Sequence, residues 1–257
     1  MKEQLTIVKV GGKIVEDATA LSNFIQQFKQ VASPKILVHG GGRSATQMAN
    51  KLGLKTLMVD GRRVTDEAML QVVTMVYGGL VNKNIVAQLQ AEGISAIGLT
   101  GADADLIRSH RREVKEVDYG FVGDVDQVNN LFLSQLLYSK LVPIVAPLTH
   151  DGKGSLLNTN ADTIAGACAT AMGELFDVKL VFCFEKKGVL SNPSDDDSVI
   201  PSITPQLFEE HVASGVIEGG MIPKLENAFA SLQKGVKEVV ITSAEHLSSS
   251  EGTSISL

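Results

Sequence analysis

The sequence predicts an open α/β fold, a mostly parallel central sheet with helices on both faces, in other words an α/β/α sandwich. Short β-branched runs bounded by glycine alternate along the chain with segments of helical periodicity, as expected for strands buried on both faces by crossover helices. Two of those runs end in glycine clusters, the second of which leads into a helical segment, the usual exit of a parallel strand. The third observation is bulk. With 257 residues, 44% of them hydrophobic and 20% charged, the chain can build such a core and is neither disordered nor a disulfide-stapled miniature.

Taken in order, residues 5–10 form the first predicted strand, apolar except for Lys9. Residues 35–39 form the second, and its glycine cluster opens a helix with Ala45, Met48, Ala49 and Leu52 on one face and Gly53 as its stop. Thr65 reads as the cap of the next helical stretch, 66–90, and residues 95–99 as the strand after it. Charged, glycine-containing pieces between 108 and 130 read as hairpins over a strand edge. After a strand at 141–146, Asn158-Thr159-Asn160-Ala161-Asp162 opens a helix whose buried face is Ala161, Ile164, Ala165, Cys168, Ala169 and Met172, ending at Gly173. Its small residues imply close packing on the sheet, with Thr159 or Asn160 as cap and Asp162 in the favourable first turn. A strand at 179–184, a solvated acidic turn at 192–197, and a strand at 238–242 follow. Between the last two, Pro223 suits the first turn of a helix that buries Ile222, Leu225, Phe229 and Leu232 and stops at Gly235. A seam at 171–176 divides the chain into an N-terminal lobe, 1–172, and a C-terminal lobe, 173–257.

Composition narrows the function. Aromatics are scarce, 5% with no Trp, so aliphatic residues must fill the core. A net charge of −6 opposes a nucleic-acid groove or an anionic membrane as partner, so positive charge for an anionic ligand must be local. No signal-peptide core and no run of about 18 apolar residues is present, and Cys168 and Cys183 sit in apolar patterns; a cytoplasmic protein is expected. The histidines are too scattered for a local zinc motif, and no protein metal ligand is assigned.

Four features could carry chemistry. Gly11-Gly12 and Gly40-Gly41-Gly42 lie at strand ends, where glycines expose N–H groups and admit an anion to a helix N-terminus, or simply make tight turns. Lys9 lies within an apolar strand, where a cation costs free energy unless it meets an anion or snorkels from an edge. Lys224 stands near a helix N-terminus, where the macrodipole disfavours a cation, so it is either exposed or holds positive field for a polyphosphate. Arg62-Arg63 is either a bidentate carboxylate clamp or solvated charge. A competing pattern, Gly40-x-Gly42-x-x-Ala45 with Asp60 as the ribose acid, matches a relaxed dinucleotide fingerprint but leaves Lys9, Lys224 and the Asn-rich turn without a role.

Lys9-x-Gly-Gly, His39-Gly-Gly-Gly, Gly61-x-Arg63-Val64-Thr65, Phe121-Val122-Gly123-Asp124-Val125, Asn158-x-Asn160-Ala161-Asp162 and Gly219-Gly220-Met221-Ile222-Pro223-Lys224 together resemble the amino-acid kinase family. The resemblance runs from Lys9 to Gly252-Thr253, and the combined pattern is that of members acting on N-acetyl-L-glutamate in arginine biosynthesis. It implies transfer of the γ-phosphoryl group of ATP, with Mg2+ held mainly by phosphates, to the side-chain carboxylate. By resemblance, Lys9 and Lys224 stabilise the transferring group, Asp162 holds both lysines, and Gly12, Gly41 and Gly42 offer backbone donors. Gly41, Gly42, Arg63 and Asn158 would bind the acyl amino acid, the last two by its α-carboxylate. The nucleotide would lie along Glu185, Lys186, Lys187, Gly188, Val189 and Leu190 and near Val216, Ile217 and Glu218. Where the family has an aspartate-containing turn before the nucleotide loop, this chain has Phe184-Glu185-Lys186-Lys187, which alters that contact.

Two further expectations concern substrate and assembly. Backbone donors recognise an N-acyl amide without measuring its length, so N-succinyl-L-glutamate is the alternative substrate. The stretch 66–90 is apolar on more than one side, with Met69, Val73 and Leu80 beside a second set, Val72, Val76, Val86 and Leu89. That excess suggests a subunit contact, and the resemblance implies a homodimer about this helix. Only residues 1–4 precede the first strand, too few for the additional helix of arginine-inhibited hexameric relatives. A homodimer insensitive to arginine is therefore expected.

Overall fold

The computed structural model describes residues 2–59, 61–249 and 251–257, so Asp60 of the dinucleotide pattern lies outside the described residues. In chain order the strands are β1 (Gln4–Val10), β2 (Lys35–His39), β3 (Met58–Val59), β4 (Arg62–Arg63), β5 (Ala96–Leu99), β6 (Ile107–Arg111), β7 (Gly123–Val128), β8 (Val142–Val145), β9 (Leu148–His150), β10 (Leu156–Asn158), β11 (Asp177–Phe184), β12 (Ser202–Ile203), β13 (Glu238–Ser243) and β14 (Thr253–Ile255). The helices are α1 (Gly12–Glu16), α2 (Ala18–Gln30), α3 (Gly42–Lys51), α4 (Glu67–Val73), α5 (Asn82–Ala91), α6 (Asn130–Tyr138), α7 (Ala161–Met172), α8 (Pro205–Ala213) and α9 (Met221–Gln233), with a π-helical segment, Thr74–Val81, joining α4 to α5.

The main sheet has eight strands in the order β12-β14-β13-β11-β1-β2-β8-β5. Every strand foreseen from the sequence is in it, and all of those are parallel; β14 pairs antiparallel with β13 at one end. β1 is central, with β11 on one side and β2 on the other, so Lys9 is not at an edge. The sheet is continuous across residue 172, since β11 pairs with β1 from Gln4↔Asp177 to Val10↔Cys183.

Strand alternation sorts the core. Leu5 and Ile7 of β1 face α7 and α9, among Ile164, Cys168, Leu225 and Phe229, while Val8 and Val10 face the opposite layer with Phe24, Phe28, Val76 and Leu89. Lys9 therefore shares the face of Leu5 and Ile7. Burying each of these large side chains stabilises by about 1.5–3 kcal/mol relative to exposure. The small-residue helix α7 is as foreseen, with Ile164, Ala165, Cys168, Ala169 and Met172 fully buried. Burial pushes both cysteine thiols up to about 12, so they pack as apolar groups.

Several expectations need correction. The cap of α4 is Asp66, whose carboxylate accepts from Met69 N; Thr65 is buried and donates instead to Arg63 O. Segment 108–130 does supply a hairpin beside a strand, as expected, but on a sheet of its own. Its β6 and β7 pair antiparallel within a separate four-stranded sheet, β10-β9-β6-β7. Leu52 is 54% exposed, because α3 ends at Lys51 before that face completes another turn against the core. Most of the second apolar set on 66–90 is buried within the chain, Val72, Val76 and Leu89 included. The wider turn of the π-helical segment shifts the helix phase, so a single core reaches both sets and leaves Met75 and Leu80 outside.

Candidate active site

The carboxyl ends of β1 and β2 bring the two glycine clusters together. Gly11 N donates to Cys183 O and Gly40 N to Val10 O, which ties both turns to the sheet. The N–H groups of Gly12, Gly41 and Gly42 have no acceptor among the described residues. They converge: a Cβ on Gly12 would lie 3.4 Å from Gly41 N and 3.6 Å from Gly42 N, and one on Gly40 would meet Gly12 N at 2.9 Å. Side chains here would close the space into which these donors point. Neither α1 nor α3 has a side-chain cap from its own N-cap residue; at the start of α3 Glu16 takes up Ser44 N, and the amides of Gly41 and Gly42 are left without an acceptor among the described residues.

Beside them sits a charged cluster. Lys9, on the face dictated by strand alternation, reaches Asp162 in the first turn of α7, with Nζ 2.8 Å from Oδ1 and side chains only 8% and 13% exposed. Asn160 caps that turn by accepting from Asp162 N and Thr163 N, which settles the choice of cap and frees the Asp162 carboxylate. Lys224, in the first turn of α9, bonds Gly220 O at 3.2 Å. Phe184 carries both ammonium groups on its ring, 4.8 Å from Lys9 Nζ and 4.7 Å from Lys224 Nζ. Burial holds the Lys224 ammonium below the usual lysine range, with Asp162 opposing and Lys9 reinforcing the shift. Sequence reasoning missed Phe184 as a platform, although its parity with Phe182 on β11 places it on the same face as Lys9.

Next to the glycines, a cavity of about 180 Å3 is lined by Gly41, Gly42, Arg63, Tyr77, Arg112 and Asn158, among others. Arg63 is buried, not solvated. Its Nη2 donates to Gly42 O at 2.7 Å and to Thr46 Oγ1 at 2.9 Å, and its buried Nε has no partner. Asn158 Nδ2 donates to Thr65 Oγ1 at 3.0 Å. Arg62, Arg112 and Asn160 also line a second cavity of about 1170 Å3, which continues to Asp162, Gly219, Pro223 and Lys224. The two cavities thus lead from a buried guanidinium past the glycine turn to Lys224 and to Asp162, behind which Lys9 is paired. Tyr77, whose ring would lie 3.0 Å from a Cβ on Gly41, had no signal in the sequence, because its contact crosses from the π-helical segment to a distant turn.

The expected nucleotide segments are placed differently. Glu185 pairs with Lys13 at 3.2 Å, Lys186 with Asp196 at 2.6 Å and Lys187 with Asp197 at 2.7 Å, so the acidic turn at 192–197 is ion-paired as well as solvated. Val189, Leu190 and Ile217 point into the core, leaving their backbone for any ligand contact, and Gly188 packs where a Cβ would meet Thr253 Oγ1 at 2.6 Å. Neither cavity is lined by residues 185–190 or 216–218; Gly219 and Gly220 line the larger one.

Residues 4–243 match the amino acid kinase family. The chain is 63% identical over 255 residues to the acetylglutamate kinase of Phocaeicola vulgatus and 61% identical to that of Bacteroides thetaiotaomicron, covering 99% of each chain in both comparisons. A crystal structure of a Streptococcus mutans protein superposes with a TM-score of 0.81 at 29% identity, covering 98% of both chains.

Proposed function

Because the chain belongs to the amino acid kinase family, we infer that the cleft binds N-acetyl-L-glutamate beside ATP and transfers the γ-phosphoryl group to the side-chain carboxylate, as in arginine biosynthesis. The identity to acetylglutamate kinases over the whole chain carries this reading. A γ-carboxylate with a pKa of about 4.3 is already ionised at neutral pH, so its oxygen attacks the γ-phosphorus without a general base. The O–P bond forms as the bond to ADP breaks, and negative charge spreads over the transferring group. We assign Lys9, Lys224 and the N–H groups of Gly12, Gly41 and Gly42 to that charge, and Asp162 to holding the lysines. The site suits a triphosphate: unpartnered amides converge on space no side chain fills, beside two ammonium groups. Mg2+ would be held mainly by phosphate oxygens, with no protein ligand assigned to it, and would help neutralise the charge of the triphosphate. Nucleotide contacts are assigned to the backbone of 185–190 and 216–218.

Turnover of ATP with N-acetyl- and N-succinyl-L-glutamate, the acyl phosphate being trapped as hydroxamate, tests the reading. N-acetyl-L-glutamate should give the higher kcat/KM, and no hydroxamate with either would refute it. Arg63→Lys and Asn158→Gln should raise the KM for the acyl amino acid about tenfold and alter kcat less, since an α-carboxylate is bound equally in ground and transition states. Lysine is a poor replacement because one ammonium cannot keep the Gly42 and Thr46 bonds while meeting a carboxylate.

The lowered pKa of Lys224 has a definite sign. Its charge disappears as pH rises through a value below 10.5, so kcat/KM should fall on the alkaline side earlier than an ordinary lysine would cause. Lys224→Arg should move that limb upward, as guanidinium stays protonated; an unmoved limb would assign it to another group. For assembly, we propose that a second copy of the chain packs against the π-helical segment, a reading supported by Met75 and Leu80, which are 55% and 50% exposed there. Light scattering should report a dimer, and Leu80→Lys should weaken it.

A further inference from the structure

His39 is wholly buried at the end of β2, and phosphoryl transfer as proposed above gives it no task. Its Nδ1 lies 2.7 Å from Gly40 O and its Nε2 lies 3.1 Å from Asn82 Nδ2. Asn82, also buried, places the same Nδ2 2.9 Å from Ile144 O.

The proton positions follow from the two ends of this chain. Ile144 O only accepts, so the Asn82 atom facing it must be the NH2 group, and that group then donates to His39 Nε2 as well. Nε2 is therefore the unprotonated nitrogen and Nδ1 carries the proton, which it donates to Gly40 O, again an acceptor only. Burial agrees, pushing the imidazole down to about 4 and keeping the ring neutral.

Gly40 C=O and Gly41 N–H belong to one planar trans peptide and point in opposite directions. Fixing the oxygen toward His39 fixes the Gly41 N–H away from it, on the side where the Gly12 Cβ position is 3.4 Å from Gly41 N. Tyr77 packs against Gly41, and Arg63 holds Gly42 O. Glu16 Oε1 accepts from Ser44 N at 2.7 Å. Around the turn the other backbone groups are held, and the amides of Gly41 and Gly42 remain free.

We propose that His39 is a positioning residue for phosphoryl transfer: in its Nδ1–H form, fixed by Asn82, it orients the Gly40–Gly41 peptide so that the Gly41 N–H faces the transferring group. This rests on the kinase reading of the cleft. Such preorganisation acts where charge develops, so its loss lowers kcat more than it raises KM.

The two nitrogens can be separated by isosteres. His39→Asn places an amide N–H where Nδ1–H stood, while His39→Gln keeps an acceptor for Asn82 and has nothing to offer Gly40 O. The Gln variant should lose about tenfold or more in kcat, toward the ~10² that a 1 Å misplacement costs, with smaller changes in both KM values. The Asn variant should stay within about threefold of wild type. Equal loss in both variants, or undiminished kcat in the Gln variant, would overturn the proposal. Nitrogen-15 NMR of the wild-type imidazoles, with His39 assigned by the resonance missing in either variant, or by spin-system exclusion through replacement of the other histidines if both fail to fold, should show the proton on Nδ1. A proton on Nε2 would overturn the proposal by itself. Should the wild-type chain lack kinase activity, the kinase reading falls, while the tautomer still decides the hydrogen-bond assignment.

Discussion

Replacing Lys9 or Lys224 by alanine is expected to lower kcat about 10²–10³-fold, with KM for either substrate changing far less. The two ammonium groups approach from adjacent layers of the fold, one from the centre of the sheet and one from the start of α9, and meet over the Phe184 ring. Holding two cations together costs free energy, which Asp162 and the ring offset in part. A polyphosphate relieves that repulsion in the ground state, and the relief is greatest when the bond to ADP is breaking and charge is most dispersed. The loss should therefore appear in kcat. Steady-state kinetics with both substrates varied checks it, and turnover unchanged in both variants would remove the lysines from the reaction.

The second large effect is on stability as well as rate. Asp162→Ala should destabilise the protein by about 2–3 kcal/mol and also depress kcat. Breaking a buried ion pair typically costs 3–5 kcal/mol, because the remaining charge is left uncompensated. The lower figure applies here because Asp162 and Lys224 line an open cavity that admits water and counterions. Lys9 would lose its carboxylate partner and keep only the Phe184 ring, on a β1 face otherwise shared with Leu5 and Ile7. The cap made by Asn160 is unaffected, so α7 itself should persist. Adding Lys9→Met to Asp162→Ala should restore much of the stability and none of the activity. Denaturant unfolding of the single and double variants measures both. A single variant as stable as wild type would mean that Asp162 does not hold the lysine.

Asn160, Asp162, Pro223 and Gly235 act locally, and so their roles were legible: each rests on the hydrogen-bond and backbone needs of one helix end, and the structure places each at such an end. Thr65 and Asp66 show the limit of that legibility. Either can cap α4, and the choice fell to Asp66 because the Thr65 hydroxyl is taken up by Arg63 O and Asn158, residues 2 and 93 positions away. The nucleotide segment is similar, since the lysines of 186–187 find partners in an acidic turn that by itself reads only as solvated.

By itself, then, the sequence determined the parallel strands and the small-residue helix, because strand and helix periodicity and cap preference are local properties of the chain. It also determined that Lys9 lies in an apolar strand. Only the tertiary structure decided that Lys9 meets Asp162, that Lys224 and Phe184 join them, and that Tyr77, Glu16 and His39 grip the glycine turn. Those contacts depend on strand order and on the phase of a π-helical segment, through which residues far apart in the chain are brought within hydrogen-bonding distance. Periodicity says which face a side chain is on; packing alone says what that face meets.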